Sequence, residues 1–124
     1  KIITKFGKKI NPELKTIIPE NGINIKTNKN ASVYSVLDGD VAIVSYQRGL
    51  GNYVIIRHGE GYFTVYANIK NIMVRQGNYI DSNSQIANVS ESNNPNISSN
   101  THYLHFEILK DELRLNPELW LKKK

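Results

Sequence analysis

Short runs of β-branched and aromatic residues alternate with Gly, Asn and Asp along almost the whole chain. The clearest pair of runs is Tyr53–His58 and Tyr62–Ala67, joined by Gly59-Glu60-Gly61. Glycine supplies the positive φ that a tight hairpin turn needs, so this segment is typical of two paired antiparallel strands. The same punctuation at fairly regular spacing predicts an all-β, mainly antiparallel fold.

The pattern predicts eight strands, with a tight turn at Asp38-Gly39-Asp40. Their ranges are Ile2–Lys5, Ile23–Lys26, Ser32–Val36, Asp40–Tyr46, Tyr53–His58, Tyr62–Ala67, Gln85–Val89 and Tyr103–Leu109. Strands of this number bury their apolar faces by closing into a sandwich or barrel-like sheet. Near the C-terminus, Asn116 as N-cap and Pro117 at the first position predict a short helical turn.

The chain of 124 residues, 40% of them hydrophobic, is long enough to bury a core as one domain spanning residues 1–124. It contains no cysteine, so neither disulfides nor thiolate metal sites hold it together. No apolar run reaches the roughly 18 residues of a membrane helix. Because the pattern is already under way at Lys1, we expect the sequence to be the C-terminal part of a longer protein.

The formal net charge is +5, three of the positive charges lying in the terminal Lys122–Lys124. The remaining basic residues are scattered, and no motif or basic–aromatic interleaving indicates binding to nucleic acid. An acidic partner or an anionic polymer fits this charge equally well.

Two predicted strands carry a polar, aromatic face. With side chains alternating at period two, Phe63, Val65, Ala67 and Ile69 fall on one side of the first strand, which we expect to be core. The opposite side of that strand carries Tyr66 and Asn68. In the last strand, Leu104, Phe106 and Ile108 are expected to face the core, and the opposite side carries Tyr103 and His105. If the strands are neighbours, the four residues on these opposite sides form one floor. The alternative is that they are ordinary solvent-facing positions of an antiparallel sheet.

The other histidines and one loop are assigned structural roles. Alternation puts His102 on the opposite side from His105, and His58 ends a strand where it can bond a turn. The Ser/Asn-rich stretch Ser90–Thr101, with Pro95, is predicted to be a loop, either a mobile surface loop or one flanking a groove.

In order and spacing, several segments together resemble the LytM-type, lysostaphin-like zinc metallopeptidase domain of bacterial cell-wall hydrolases and their regulators. The similarity is carried by the opening Phe6-Gly7-Lys8, by Asn21–Ile25, by Ala31–Val41, by the hairpin Tyr53–Ile69, by Gly77 and Gln85-Ile86, and by Leu104–Ile108. With the preceding Tyr103, the last of these segments corresponds to the family motif His-x-His-Phe-Glu, in which Tyr103 replaces the first histidine.

The resemblance also implies which residues occupy the family's functional positions. The zinc ligands would correspond to Glu20, Asn24 and His105, and the two assisting histidines to Asn68 and Tyr103. A catalytic zinc needs about three protein ligands and an open position for water, and a neutral amide is a poor ligand for it. We therefore expect no catalytic residues, no metal and no cofactor.

Degenerate domains of this kind resemble the C-terminal domain of EnvC-type murein hydrolase activators. That resemblance implies a periplasmic domain whose groove, made of Glu20, Asn24, Tyr66, Asn68, Tyr103 and His105, binds and activates a cell-wall N-acetylmuramoyl-L-alanine amidase in cell division. It also implies control by a division-linked membrane transporter complex through an upstream region. Two alternatives stay open: a module that docks an envelope protein or peptidoglycan, and, ranked below it, a zinc endopeptidase with substituted ligands.

Overall fold

The computed structural model describes the backbone of residues 2–4, 7–11, 16–20, 22–110 and 113–115, and the side chains of residues 22–110. Within these residues the secondary structure is β throughout, as predicted. The strands are β1 (Ile2–Thr4), β2 (Gly7–Asn11), β3 (Thr16–Glu20), β4 (Ile23–Lys26), β5 (Ser32–Tyr34), β6 (Gly39–Gln47), β7 (Gly51–Gly59), β8 (Tyr62–Lys70), β9 (Tyr79–Ile80), β10 (Gln85–Val89), β11 (Tyr103–Lys110) and β12 (Leu113–Leu115).

One ten-stranded sheet contains most of these strands, in the order β1-β4-β11-β8-β7-β6-β9. Its neighbours pair antiparallel, and β12 extends it along β11. Strand β10 pairs with the end of β8 through Asn88 and Val89 and then with β5, which folds the sheet over on itself. Strands β2 and β3 form a separate hairpin.

The predicted hairpin between β7 and β8 is confirmed. Glu60 and Gly61 form its two-residue loop, and both have positive φ, at 54° and 82°. Positive φ at both central positions matches the twist of the flanking strands. The predicted C-terminal helical turn at Asn116 and Pro117 lies outside the described residues.

The core fills the space between the main sheet and the β5–β10 pair. Its buried side chains include Ile23 from β4, Val54 and Ile56 from β7, Phe106 from β11 and Ile86 from β10. The prediction that Phe106 and Ile108 point into the core is confirmed, and Leu104 packs against it. Within the described residues there is no helix long and apolar enough to cross a membrane.

Tyr66 lies in this core, which contradicts its predicted place on an exposed floor. Its Cα partner across the sheet is Phe106, so the two side chains share a face, and their ring centroids are 5.4 Å apart. His105 instead pairs with Ala67. The predicted grouping is therefore wrong for Tyr66. Six consecutive residues of β8, 64–69, are buried, so hydrophobicity alone could not identify its core side.

A β-bulge at Asn68 also breaks the predicted alternation. Ala67 and Ile69 of β8 face Tyr53 and Asn52, which are consecutive in β7, so Asn68 is the extra residue. It has φ of 61°, a left-handed conformation that Asn tolerates better than most residues. Beyond the bulge the alternation is reversed, and Ile69 joins Tyr66 in the core.

A chain of buried hydrogen bonds anchors Tyr66. Its hydroxyl accepts from the Val36 N–H at 3.1 Å and from Thr64 Oγ1 at 2.9 Å. Thr64 Oγ1 is also hydrogen-bonded to His58 Nε2. The other ring nitrogen of His58, Nδ1, lies 2.7 Å from the carbonyl oxygen of Asp38. His58 thus holds the turn at Asp38, which confirms its predicted structural role. Burial raises the pKa of the Tyr66 hydroxyl, so this group stays neutral at physiological pH.

Tyr66→Phe is expected to lower the free energy of unfolding by about 1–2 kcal/mol, because the Val36 N–H loses its acceptor while the ring keeps its packing. Tyr34→Phe is the matched control, because Tyr34 is half exposed and the change there should stay within about 0.5 kcal/mol. Urea unfolding of the three proteins measures both differences. Equal stability of Tyr66→Phe and the natural chain would show that the network contributes nothing.

Candidate functional site: a rearranged metallopeptidase centre

His105 lies among the residues that correspond, by the family resemblance, to zinc-ligand positions. Strands β4 and β11 pair so that His105 faces Asn24. They approach closely at Gly22, where a Cβ atom would lie 2.2 Å from the Phe106 carbonyl oxygen. Only glycine fits there, so Gly22 helps to fix Asn24 beside His105.

Both ring nitrogens of His105 have side-chain partners. Nδ1 lies 2.5 Å from Asn24 Oδ1, and the Glu107 carboxylate accepts a hydrogen bond from Nε2 at 2.8 Å. The His105 and Glu107 side chains are only 12% and 7% exposed. A zinc-binding histidine coordinates the ion through one ring nitrogen and commonly donates its other N–H to a carboxylate, as Nε2 does here to Glu107. The nitrogen left for an ion, Nδ1, faces the neutral amide oxygen of Asn24.

The described residues do not fit a catalytic zinc. Residues 22–110 contain no group of three or more His, Cys, Asp or Glu side chains that could hold a metal ion. Asn24 offers an amide where a carboxylate would be needed, and the Glu107 carboxylate is bonded to His105 Nε2. The backbone of Glu20 belongs to β3, but its side chain lies outside the described residues.

Asn68 fastens the 90–101 loop to the sheet. Its amide nitrogen donates to the carbonyl oxygens of Ser90 and Tyr103, both at 2.9 Å. Its amide oxygen accepts from the backbone and side-chain nitrogens of Asn93, at 3.1 and 2.8 Å. Its own N–H donates to the Leu50 carbonyl. Asn68 is fully buried, with its hydrogen-bonding capacity used within the protein.

The same loop covers Tyr103. This residue is 2% exposed. Burial is the main cause that raises the pKa of Tyr103, and hydrogen bonding to Ser92 and Asn94 opposes it. The predicted loop is confirmed, and its first residues are held against Asn68 and Tyr103. Gly51, at the start of β7, leaves room for Asn93, since a Cβ there would lie 2.7 Å from Asn93 Nδ2.

The predicted floor is thus divided between several environments. Tyr66 lies in the core, Asn68 and Tyr103 lie beneath the loop, and His105 lies beside Asn24. The prediction missed Glu107 as a partner of His105, although both occupy the same side of β11 at a spacing of two. It also missed Asn93, whose role depends on the bulge at Asn68.

Comparison with known proteins identifies the fold. The sequence profile of Peptidase family M23 matches residues 19–117, most of the chain. The chain belongs to Peptidase family M23. Its resemblance to LytM domains and to EnvC-type domains is confirmed, because the relatives of this M23 chain include the murein hydrolase activator EnvC of Escherichia coli, 26% identical over 94% of the chain.

The relatives of this M23 chain include both peptidases and activators. It is 31% identical to the peptidoglycan DD-endopeptidase ShyB of Vibrio cholerae, over 82% of the chain. It is also 31% identical to the murein hydrolase activator NlpD of Salmonella typhimurium, over 81% of the chain. The alignments span only 23% of ShyB and 26% of NlpD and EnvC. The overall sequence identity of this chain to its relatives therefore does not distinguish the peptidases from the activators.

Solved structures give the same picture. A zinc-containing peptidase from Vibrio cholerae superposes with a TM-score of 0.84 at 29% identity, covering 94% of this M23 chain and 35% of the peptidase. A chain of the SpoIIIAH–SpoIIQ complex superposes with a TM-score of 0.79 at 25% identity, covering 97% of this chain and 91% of that one. The lysostaphin-like fold class is confirmed.

Proposed function

We propose that this M23 chain is a catalytically inactive domain that binds and activates a cell-wall N-acetylmuramoyl-L-alanine amidase. In this way it regulates peptidoglycan hydrolysis during cell division. The observation that carries the proposal is that His105 Nδ1 faces the neutral amide of Asn24, and that residues 22–110 contain no group of three His, Cys, Asp or Glu side chains that could hold a metal ion. A metallopeptidase needs that histidine as a ligand and needs further ligands around it.

The two positions that correspond to assisting histidines support the same proposal. Asn68 and Tyr103 are buried, and the side chain of Asn68 is bonded to Ser90 and Asn93 of the 90–101 loop rather than being available to polarise a substrate carbonyl. General acid–base catalysis requires a titratable group within hydrogen-bond reach of the reacting atoms. In this chain those positions stabilise a loop instead.

The proposed mechanism is a population shift in the amidase. The domain binds an amidase element more tightly in the active state than in the autoinhibited state, and that difference in affinity favours activity. The named relatives EnvC and NlpD support an activator. We place the protein in the periplasm of a Gram-negative envelope, with peptidoglycan as a second partner and a division-linked transporter complex acting through an upstream region.

A second candidate is a docking module for another envelope protein or for peptidoglycan itself. The observation in its favour is the similarity to a chain of the SpoIIIAH–SpoIIQ complex, an assembly of two proteins. The zinc endopeptidase with substituted ligands ranks last, because among residues 22–110 no group of three His, Cys, Asp or Glu side chains could hold the ion.

Cosedimentation and calorimetry separate the first two candidates. The activator proposal predicts a micromolar or tighter complex between the chain and a purified amidase of the same organism, measured by isothermal titration calorimetry. The docking alternative predicts pelleting with purified sacculi in the absence of any amidase. Pelleting with sacculi combined with no heat of binding to the amidase would reject the activator proposal.

A further inference from the structure

The face of the sheet that carries His105 is buried at the end near His105 and exposed to solvent at the other end. His105 pairs with Ala67, and Leu109, four residues further along β11, pairs with Phe63. Phe63 in turn pairs with Arg57 of β7, while Ile55 pairs with Ile43 of β6. By alternation these side chains share the His105 face. Whereas His105 is 12% exposed, Ile43 is 40% exposed.

This open end contains an apolar pocket of about 350 Å³. It is lined by Ala42, Ile43, Ile55, Arg57, Phe63 and Leu109. A volume of this size is at the lower end for binding pockets, and it accommodates a few bulky side chains rather than a large ligand. A mainly apolar hollow with a polar rim is the kind of surface that marks a protein contact.

The one charged residue of the lining is a cation available to a partner. The Arg57 side chain is exposed, and its guanidinium lies 5.8 Å from the centre of the Phe63 ring. Asp40 is its Cα partner in β6, yet among the described residues no carboxylate forms an ion pair with Arg57. The guanidinium of Arg57 is therefore the positive charge that this pocket offers to a partner.

We infer that the amidase docks at this pocket rather than at the His105 region. In this contact the amidase inserts a bulky apolar side chain into the pocket, and an Asp or Glu next to that side chain in the amidase supplies a carboxylate. The inference rests on the proposed function and specifies the contact. An apolar anchor in a pocket supplies most of the affinity of a typical interface, and a carboxylate can pair bidentately with Arg57. The side chains around His105 are too buried to supply such a contact unless the fold opens.

Two substitutions test the pocket with matched controls. Ile43→Thr removes apolar surface while keeping a β-branched residue, and Arg57→Gln removes the charge. Tyr46→Thr is the control for the first: Tyr46 lies on the same strand, is 61% exposed and points to the opposite face. Arg75→Gln is the control for the second, since Arg75 is exposed and does not line the pocket.

The binding partner in the test is the purified full-length amidase of the same organism, titrated with the full chain and each variant. We expect Ile43→Thr to weaken binding at least about tenfold, and Arg57→Gln to weaken it severalfold and reduce its dependence on salt. Both controls should bind within about twofold of the natural chain. Thermal unfolding of each variant establishes that it is folded, and Arg57→Gln is a surface change that leaves the pocket's apolar packing in place.

Three results would overturn the inference. If the natural chain binds the amidase and both pocket variants bind equally well, the amidase uses another surface, while the proposed function stands. If the natural chain does not bind the amidase, the proposed function fails and the inference fails with it. If sedimentation equilibrium shows a dimer of the natural chain that Ile43→Thr dissociates, the pocket is an interface between two copies.

Discussion

Replacing Glu20 with His and Asn24 with Asp in one variant is expected to create a chain that binds about one zinc ion, while the natural chain binds almost none. By resemblance, these two changes rebuild a His, Asp and His105 ligand set, which is the number of protein ligands that a catalytic zinc uses. The aspartate would add a charge where Asn24 now offers a neutral amide to His105. Zinc content after dialysis, measured by inductively coupled plasma mass spectrometry, reports the difference.

The control for this variant adds His105→Ala, which should abolish the gained zinc. We also expect the zinc-binding variant to remain without hydrolytic activity, because Asn68 and Tyr103 still occupy the assisting positions beneath the loop. A natural chain that already retains about one zinc per molecule would contradict the interpretation of the His105 environment.

Asn68→Ala is expected to lower the free energy of unfolding by about 2–4 kcal/mol. The substitution leaves the buried carbonyl of Tyr103 without the Asn68 amide, removes the acceptor used by Asn93, and puts alanine at a positive φ. The 90–101 loop should lose its attachment as well. Hydrogen exchange at the Asn93 amide should accelerate more than exchange in the middle of β7, which separates local release of the loop from global destabilisation.

Asn88→Ala is the matched control for Asn68→Ala. Asn88 is only partly buried, and its amide nitrogen makes one bond of 2.9 Å to the Asn30 carbonyl, so its loss should cost about 1 kcal/mol or less. If Asn68→Ala is no more destabilising than Asn88→Ala, Asn68 does not fasten the loop.

Much of the fold could be predicted from the sequence because its signals are local. The strands Ile23–Lys26 and Gln85–Val89 have the predicted bounds, and the Glu60-Gly61 turn has the predicted positive φ. The hairpin formed by Gly7–Asn11 and Thr16–Glu20 was missed, as was the short strand Tyr79–Ile80. A two-residue strand is defined by its partner rather than by its own pattern.

The arrangement of the site could be predicted only in part, since it depends on pairing register. Period-two alternation assigned Leu104, Phe106 and Ile108 to one side of their strand, and β11 is regular enough for that to hold. In β8 both sides are buried, and the bulge at Asn68 reverses the alternation. The side of the sheet on which Tyr66 lies is set by its pairing with Phe106, which the residue pattern of β8 alone does not predict. The residue type alone does not predict a bulge, although Asn is enriched among residues with a left-handed backbone conformation.

The positions that correspond by resemblance to the assisting histidines have a structural role that the alignment of motifs does not convey. Asn68 and Tyr103 are integrated into the packing of the 90–101 loop, and His105 is held by Asn24 and Glu107. Restoring the single histidine with Asn68→His would remove the loop's attachment rather than recover a catalytic group. The hydrophobic core, which includes Ile23, Val54 and Phe106, contains none of the residues at the corresponding zinc-ligand positions.

Release of dye from labelled peptidoglycan tests the central claim most directly, with the amidase alone, the chain alone and both together. The account predicts that the chain alone releases no dye and that the pair releases more than the amidase does. Dye release by the chain alone, abolished by a zinc chelator, would contradict it, because a functional metal site would then exist around His105.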